Sequence, residues 1–265
     1  MIGRLPVALC ACLLMLPLLA ACGGDDDDGG GTPTEAGGSP AVLSATAASS
    51  PGSNDSNTSP VVAMPVSKYS LSIEDLGEGF GVEISETFVL DIRTYGGTAA
   101  FPSASEGQKL LSKWGYLGGY ETAYWPEGRK QAELNGAYFV SIECHLFTDE
   151  TGAKAAYAYF VDHLAKLANT APVNSAPVGN ESKSFAIKAG KVASSTINEI
   201  YHRYAFRRGN FVAIVQTIGA EPFMRIETAR GVAAIMDAKI LGTRAAQEPT
   251  PTSNYQTAKS PTPTR

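Results

Sequence analysis

The stretch Ala137-Tyr-Phe-Val-Ser-Ile-Glu-Cys-His-Leu-Phe147 decides the fold, because its side chains alternate between two chemically different sets. One set is Tyr138, Val140, Ile142, Cys144 and Leu146, and the other is Phe139, Ser141, Glu143, His145 and Phe147. Successive side chains of a strand point to opposite sides of a sheet. The first set therefore predicts a core face, and the second predicts a face that is partly open to solvent.

The segments around this strand form a unit of two strands and a helix. Residues 116–125 are predicted to form a strand, and residues 126–136 a loop that ends in the turn pair Asn135-Gly136. Residues 137–147 then form the second strand, and a helix begins at Thr148 or Asp149. Because consecutive strands joined by turns pair antiparallel, the unit predicts an antiparallel sheet.

The same unit is predicted a second time nearer the C-terminus. Residues 196–207 lead through the hairpin pair Gly209-Asn210 into residues 211–218, and a helix follows with Pro222 at its first position. The apolar stripe of the first helix is Ala153, Ala156, Tyr157, Phe160, Leu164 and Leu167, and that of the second is Ile226, Ala229, Ala233, Met236 and Ile240. The predicted fold class is α+β: an antiparallel sheet built from two ββα units, with the helices packed on one face.

The N-terminus carries an export signal. One basic residue, Arg4, precedes an apolar core over residues 5–19, which is the length of a secretory signal rather than of a membrane span. The following run, Leu19-Ala20-Ala21-Cys22, resembles the lipobox of bacterial lipoproteins. That resemblance implies that Cys22 takes a thioether-linked diacylglycerol and becomes the mature N-terminus. The alternative is a soluble secreted protein cut near Ala21.

Composition divides the chain into four parts. Residues 1–21 are the lipoprotein signal peptide, and residues 22–66 are the lipidated cysteine with a disordered tether poor in large apolar side chains. Residues 67–245 form one α+β globular domain, and residues 246–265 form a disordered tail rich in Thr and Pro. Two acyl chains on Cys22 would hold the protein on a bilayer, since each buried CH₂ contributes about 0.8 kcal/mol.

Charge and cysteine content exclude several classes of partner and site. The whole chain has a formal net charge of −5, and residues 67–245 hold 18 Lys and Arg against 19 Asp and Glu. A domain so close to neutral has no basic face for phosphate backbones, so nucleic acid is not expected as a partner. Cys144 is the sole thiol of the predicted domain, and it therefore forms no disulfide within it.

The sequence lacks the common catalytic motifs. The mature part contains no Gly-x-Ser-x-Gly, no His-Glu-x-x-His and no phosphate-binding P-loop. Its three histidines, His145, His163 and His202, are far apart in sequence, so no metal site is predicted. We expect no catalytic residues and no cofactor.

One polar constellation remains as a candidate binding face. Glu143 and His145 stand beside Glu199, Tyr201 and Arg203 if the strand carrying the latter three is a neighbour with its odd positions turned outward. As a binding site this would be a shallow sheet face on which Arg203 and the Tyr201 hydroxyl orient a polar ligand. As ordinary surface it would be the solvated side of an antiparallel sheet, stabilised by cross-strand charge pairs.

Three further segments carry a family resemblance. They are Leu71-Ser-Ile-Glu-Asp-Leu-Gly-Glu-Gly-Phe80, Trp114-Gly-Tyr-Leu-Gly-Gly-Tyr120 and Phe206-Arg-Arg-Gly-Asn-Phe-Val212. Together they resemble a pattern of poorly characterised bacterial surface lipoproteins and of the extracellular sensor domains of actinobacterial kinases. The resemblance implies a fold that binds a ligand or partner, and it carries over no catalytic residue.

The sequence thus predicts a membrane-anchored, extracytoplasmic lipoprotein with a non-enzymatic binding domain. Its expected partners are the cell membrane, through the lipid anchor at Cys22, and an unidentified cell-surface ligand or protein. The alternative function is an envelope hydrolase that acts on cell-wall or lipid material.

Overall fold

The described part of the chain covers most of the predicted domain. The computed structural model describes residues 61–76, 80–82, 87–126, 128–192 and 194–247. The predicted signal peptide, the lipidated Cys22, the tether up to residue 60 and the tail from residue 248 lie outside the described residues. The division of the chain at these points therefore stays a prediction. Residues 61–66, which were predicted to be the end of the tether, are described, and Val62 and Val66 are buried in the core of the domain.

Eight strands of the described chain form one antiparallel sheet. The strands are β1 (Phe80–Val82), β2 (Phe88–Leu90), β3 (Tyr116–Pro126), β4 (Phe139–Phe147), β5 (Thr170–Pro172), β6 (Glu181–Lys191), β7 (Asn198–Arg208) and β8 (Phe211–Ala220). The order across the sheet is β1-β3-β4-β8-β7-β6-β5, and β2 also pairs with β3. Every neighbouring pair is antiparallel.

Helices connect and cover these strands. They are α1 (Ile92–Gly96), α2 (Ala104–Lys113), α3 (Arg129–Leu134), α4 (Glu150–Ala165) and α5 (Ile226–Ile240). Two short 3-10 helices, Val66–Tyr69 and Ile73–Asp75, precede the sheet. The α+β class and the antiparallel sheet are confirmed.

The two predicted ββα units are present as β3-β4-α4 and β7-β8-α5. Asp149 is the N-cap of α4, where its carboxylate accepts a hydrogen bond from the amide of Gly152 at 2.8 Å. Helix α5 begins at Ile226 rather than at Pro222, which lies in the preceding turn. The segment predicted as a loop between β3 and β4 contains the short helix α3.

Two consecutive arginines of β7 show that α4 and α5 lie on opposite faces of the sheet. Arg207 Nη1 donates to Glu150 Oε1 of α4 at 2.8 Å, whereas Arg208 Nη2 donates to Asp237 Oδ2 of α5 at 2.6 Å. Because consecutive strand residues point to opposite sides, the two helices cover different faces. We call these the α4 face and the α5 face.

The expectation that both helices share one face is wrong, and strand β8 gives the physical reason. Phe211, Ala213 and Val215 of β8 belong to the buried cluster under α5, while Val212 belongs to the cluster under α4. An antiparallel sheet can leave one side in water when that side is polar. This sheet carries apolar groups on both sides, so each side needs a helix.

Close contact between α1 and α2 fixes the edge of the α4 face. A Cβ atom on Gly107 of α2 would lie 2.2 Å from the carbonyl oxygen of Gly96 in α1, so only glycine permits this approach. The Asp91 carboxylate caps α1 by accepting from the amides of Arg93 and Thr94. Together these features place Tyr95, a buried residue of α1, over the sheet.

Candidate functional site

The polar side chains predicted from β4 lie on the α4 face. Ser141, Glu143 and His145 occupy alternate positions of β4 and therefore share this face with Phe147, which packs in the cluster under α4. His145 is fully buried, and Ser141 is 6% exposed. The α4 face is therefore covered at its centre, and the prediction of a partly open face is wrong. The covering element is α4, through Phe160 and Leu164 among others.

The predicted constellation is only partly assembled. Strand β8 lies between β4 and β7, so these two strands are not neighbours. Arg203 is opposite Gln216 of β8, which is opposite Ser141 of β4, and all three residues line one cavity.

The other two predicted residues lie further along β7. Tyr201 is opposite Ile218 and packs against the small apolar cluster that contains Ile218, while Glu199 is opposite Ala220 at the end of the strand. Neither residue lines the cavity. They share the α4 face with Arg203 without joining the same group of side chains.

Glu143 is the centre of a buried hydrogen-bond network. Its Oε1 atom accepts from His145 Nε2 at 2.7 Å and from the hydroxyl of Tyr95. Burial opposes ionisation of this carboxyl group, but the hydrogen bonds from His145 and Tyr95 and the charge of Arg203 outweigh it. The pKa of Glu143 is therefore below its ordinary value, and the group is a carboxylate.

The rings around this carboxylate are held in place by packing and by hydrogen bonds. The Tyr95 ring lies 4.2 Å from the His145 ring, measured between centroids, and the Tyr116 hydroxyl lies 3.4 Å from His145 Nδ1. Burial and the Glu143 charge raise the pKa of Tyr95 well above its ordinary value. Tyr95 therefore stays protonated and acts as a donor.

Arg203 brings a positive charge to the same face. The residue is buried, and its Nε donates to Gln216 Oε1 at 2.7 Å. Its positive charge contributes to the low pKa of Glu143. Burial is the main cause of the lowered pKa of His163, and the Arg203 charge lowers it further. At neutral pH the imidazole of His163 is therefore uncharged.

A cavity of about 40 Å³ lies between the sheet and the helices. We call it the α4 cavity. By this measure a single water needs about 10–15 Å³, so there is room for a few water-sized groups. The polar lining residues are Tyr95, Glu121, Ser141, Glu143, His163, Arg203 and Gln216, and the apolar ones include Ala100, Phe160, Leu164 and Ile214. Solvent reaches the cavity, because 12% of the Glu143 side chain is exposed.

Several polar atoms of the lining have no protein partner. His163 Nε2 is buried without a hydrogen bond. Both donors to Glu143 use Oε1, and no described group donates to Oε2. No hydrogen bond joins Ser141 Oγ to another described residue. Buried polar atoms nearly always have partners, so His163 Nε2 points to a missing one.

Sequence reasoning missed several residues of this cavity. Tyr95 comes from α1, a five-residue helix too short to show a periodic pattern, and Gln216 comes from an otherwise apolar strand. Glu121 lines the cavity because the register between β3 and β4 places it opposite Glu143. His163 lines the cavity because it lies on the side of α4 that faces the sheet.

The described residues contain neither a metal-binding cluster nor a membrane-spanning helix. No group of three His, Cys, Asp or Glu side chains there is arranged to hold a metal ion. None of the helices that the structure describes is long and apolar enough to cross a membrane.

Comparison with known proteins gives little further information. No family model and no curated protein matches the chain. Among solved structures, the extracellular domain of PknH from Mycobacterium tuberculosis is similar, with 13% sequence identity and a TM-score of 0.48. The match covers 69% of this chain and 98% of that one. Similarity at this level does not establish a family.

Proposed function

We propose that this chain is an extracytoplasmic lipoprotein, anchored to the cell membrane through Cys22, whose α+β domain binds a small polar ligand in the α4 cavity. The anchor is supported by the run Leu19-Ala20-Ala21-Cys22 after an apolar signal core. The binding function is supported by one cavity that is lined by Glu143, Arg203 and the buried, unpartnered Nε2 atom of His163. This second observation carries the proposal.

Energetic reasoning favours a ligand over a purely structural role. A buried polar group without a partner costs about 1–3 kcal/mol, and a buried charge costs more unless it is paired. The cavity combines Glu143 and Arg203 with the buried, unpartnered His163 Nε2 under α4. Buried charges gathered at a cavity are typical of binding and catalytic sites.

The arrangement of His145 favours binding over the hydrolase alternative. Its ring is fully buried, and its two nitrogens already face Glu143 and Tyr116. A general base must reach the proton that it abstracts, directly or through one water. His145 instead holds Glu143 in place, so the domain is proposed to be non-enzymatic.

A ligand screen with a cavity-filling variant tests the binding function. The mature chain, produced without its signal and with Cys22→Ser, is heated with small amines, carboxylates, amides and sugars, and the melting temperature is measured. We expect at least one class of compound to raise the melting temperature of the parent chain. The same compound should not raise that of the Ser141→Val variant, because the valine methyl groups occupy the cavity.

The matched control is Ser112→Val on the exposed surface of α2, which should respond like the parent chain. If no compound stabilises the parent, or if Ser141→Val responds equally, the cavity is not a binding site.

A further inference from the structure

The chain enters the domain at the end of the sheet that holds the turn between β7 and β8. Asn210 of this turn is buried, and its side chain bonds twice to the backbone of Val62. The Val62 amide donates to Asn210 Oδ1 at 2.7 Å, and Asn210 Nδ2 donates to the Val62 carbonyl oxygen at 3.1 Å. Asn210 Nδ2 also donates to the carbonyl oxygen of Phe147, which is opposite Tyr116 at the start of β3. These buried bonds fix the entry point of the chain relative to the sheet.

Exposed apolar side chains lie at this same end of the domain. Val61, the residue before the buried Val62, is 82% exposed, and Val89 of β2 is 78% exposed. Met64 and Leu117 are each about half exposed. Isolated apolar residues at a surface are ordinary, but several gathered at one place mark a contact surface.

Strand register shows that these side chains are gathered. Val89 is opposite Tyr120, so it shares a sheet face with Tyr120 and with Gly118, two residues earlier in β3. The Met64 Cε atom lies 3.2 Å from the place that a Cβ atom on Gly118 would take. Leu117 directly precedes Gly118, at an irregularity in the pairing of β3 with β4. We define the entry patch as Val61, Met64, Val89 and Leu117.

The location of the entry patch favours a bilayer as the surface that it contacts. Residues 23–60 separate the patch from the proposed lipid anchor at Cys22. A chain of this length spans at most about 130 Å even when fully extended, so the anchor keeps the patch near one membrane. Such a linkage raises the effective concentration of lipid at the patch, so a weak apolar contact is enough for docking.

We propose that the entry patch docks the domain on the lipid surface to which Cys22 anchors it. The inference rests on the anchor of the proposed function and adds an orientation, with the turn between β7 and β8 toward the bilayer. The four side chains of the patch are uncharged, so their insertion among lipid headgroups desolvates no charge. Shallow insertion of apolar side chains is a general way in which proteins bind at a membrane interface.

A fluorescent label at residue 89 measures whether the patch touches lipid. Val89→Cys adds a thiol to the lipidated chain, in which Cys144 is buried and the thioether of Cys22 does not react with thiol reagents. The labelled protein is inserted through its anchor into phosphatidylcholine vesicles that contain a nitroxide-labelled lipid. We expect the nitroxide to quench the label, because docking holds residue 89 at the headgroups.

The matched position for this label is Phe223. It is also an exposed apolar residue, but it lies beyond Ala220, at the opposite end of β8 from Phe211 and the entry patch. A label on Phe223→Cys should keep its fluorescence in the same vesicles. Equal quenching at the two positions, or quenching at neither, would overturn the docking and leave the anchor standing.

Vesicle partition of the chain without its lipid tests the patch independently of the anchor. The mature chain with Cys22→Ser is mixed with phosphatidylcholine vesicles, whose surface carries no net charge, so binding reports apolar contact. Val61→Ser together with Val89→Ser should lower the partition coefficient about 10-fold or more, because fewer apolar groups enter the lipid. Phe223→Ser is the control and should leave the coefficient unchanged. Melting temperatures confirm that each variant is folded, and an equal decrease for both would overturn the role of the patch.

The remaining outcomes separate this inference from the proposed function and from a protein partner. If the parent partitions too weakly to measure, the label at residue 89 decides the question. If Cys22 is not lipidated in cells, the anchor of the proposed function fails, and absence of partition then also overturns the docking. If the Cys22→Ser chain forms dimers that the two serine substitutions abolish, and no lipid contact is found, a second copy covers the patch and the docking is overturned.

Discussion

Lys239 Nζ lies 2.7 Å from Asp75 Oδ2, and both side chains are almost completely buried. The same ammonium group donates to the carbonyl oxygen of Ser70 at 2.6 Å. Lys239 belongs to the last turn of α5, whereas Asp75 ends the second 3-10 helix. The pair therefore holds the second 3-10 helix, near the start of the described domain, against the C-terminal helix α5.

Replacement of this lysine should be strongly destabilising. Lys239→Met leaves the buried Asp75 carboxylate with Arg244, a half-exposed residue, as its remaining ion-pair partner. Because breaking a buried ion pair costs about 3–5 kcal/mol and Arg244 offsets part of this, we expect the free energy of unfolding to fall by about 3 kcal/mol. Urea denaturation followed by tryptophan fluorescence measures the change. Lys154→Met, on the exposed side of α4, is the control and should stay within about 0.5 kcal/mol of the parent. An equal effect of the two would mean that the buried pair contributes little.

Acid should destabilise the domain through His202. This residue is 5% exposed, and burial lowers its pKa from the ordinary 6.5, against the weaker opposing influence of Glu227 and Glu221. Below pH 6.5 the unfolded chain binds the proton more readily than the folded one. The stabilising effect is thus complete above pH 6.5 and is lost as the pH falls toward the folded-state pKa.

His202→Phe removes this titration, so its stability should fall less between pH 7 and pH 5 than that of the parent. Denaturation midpoints across this range measure the difference. Parallel pH profiles for variant and parent would contradict the assignment.

Arg203 should stabilise the folded domain as well as line the cavity. Arg203→Ala removes the hydrogen bond to Gln216 and the positive charge that supports ionised Glu143. We expect a loss of about 2 kcal/mol in the free energy of unfolding, the usual scale for a hydrogen bond to a charged group. Arg225→Ala, at an exposed arginine, is the matched control. A variant as stable as the control would place Arg203 at the surface instead.

Cys144 should be inert in the native protein. It is fully buried on the α5 face, and burial raises the pKa of its thiol. A thiol reagent should label it only after denaturant is added, and Cys144→Ser should cost about 1–3 kcal/mol because a buried hydroxyl needs a partner. Rapid labelling without denaturant would show an accessible thiol and contradict the assigned face.

Cys22→Ser should abolish lipidation, because a serine oxygen cannot form the thioether. Metabolic labelling of cells with a fatty-acid probe, followed by isolation of the protein, measures the modification. The variant should remain as unlabelled precursor, and Cys144→Ser is the matched cysteine control that should still be labelled. Equal labelling of Cys22→Ser and the parent would contradict the lipoprotein assignment.

Local pattern in the sequence determined the elements of this fold. Turn pairs and alternating side chains predicted β3, β4, β7 and β8 and their antiparallel pairing, and the alternation in β4 placed Cys144 in the core. The capping position Asp149 located the start of α4. These features depend on neighbours a few positions apart, which the sequence displays directly.

Only the tertiary structure decided what covers each face of the sheet. The alternation in β4 shows that Ser141, Glu143 and His145 share a face. The apolar stripe on α4 shows that the helix buries one side, but it does not indicate which face of the sheet the helix packs against. Long-range packing settles that choice, and the same packing brings Tyr95, Glu121 and His163 to one cavity. Their positions depend on strand register and helix crossing, interactions between residues far apart in the chain, and no local pattern encodes them.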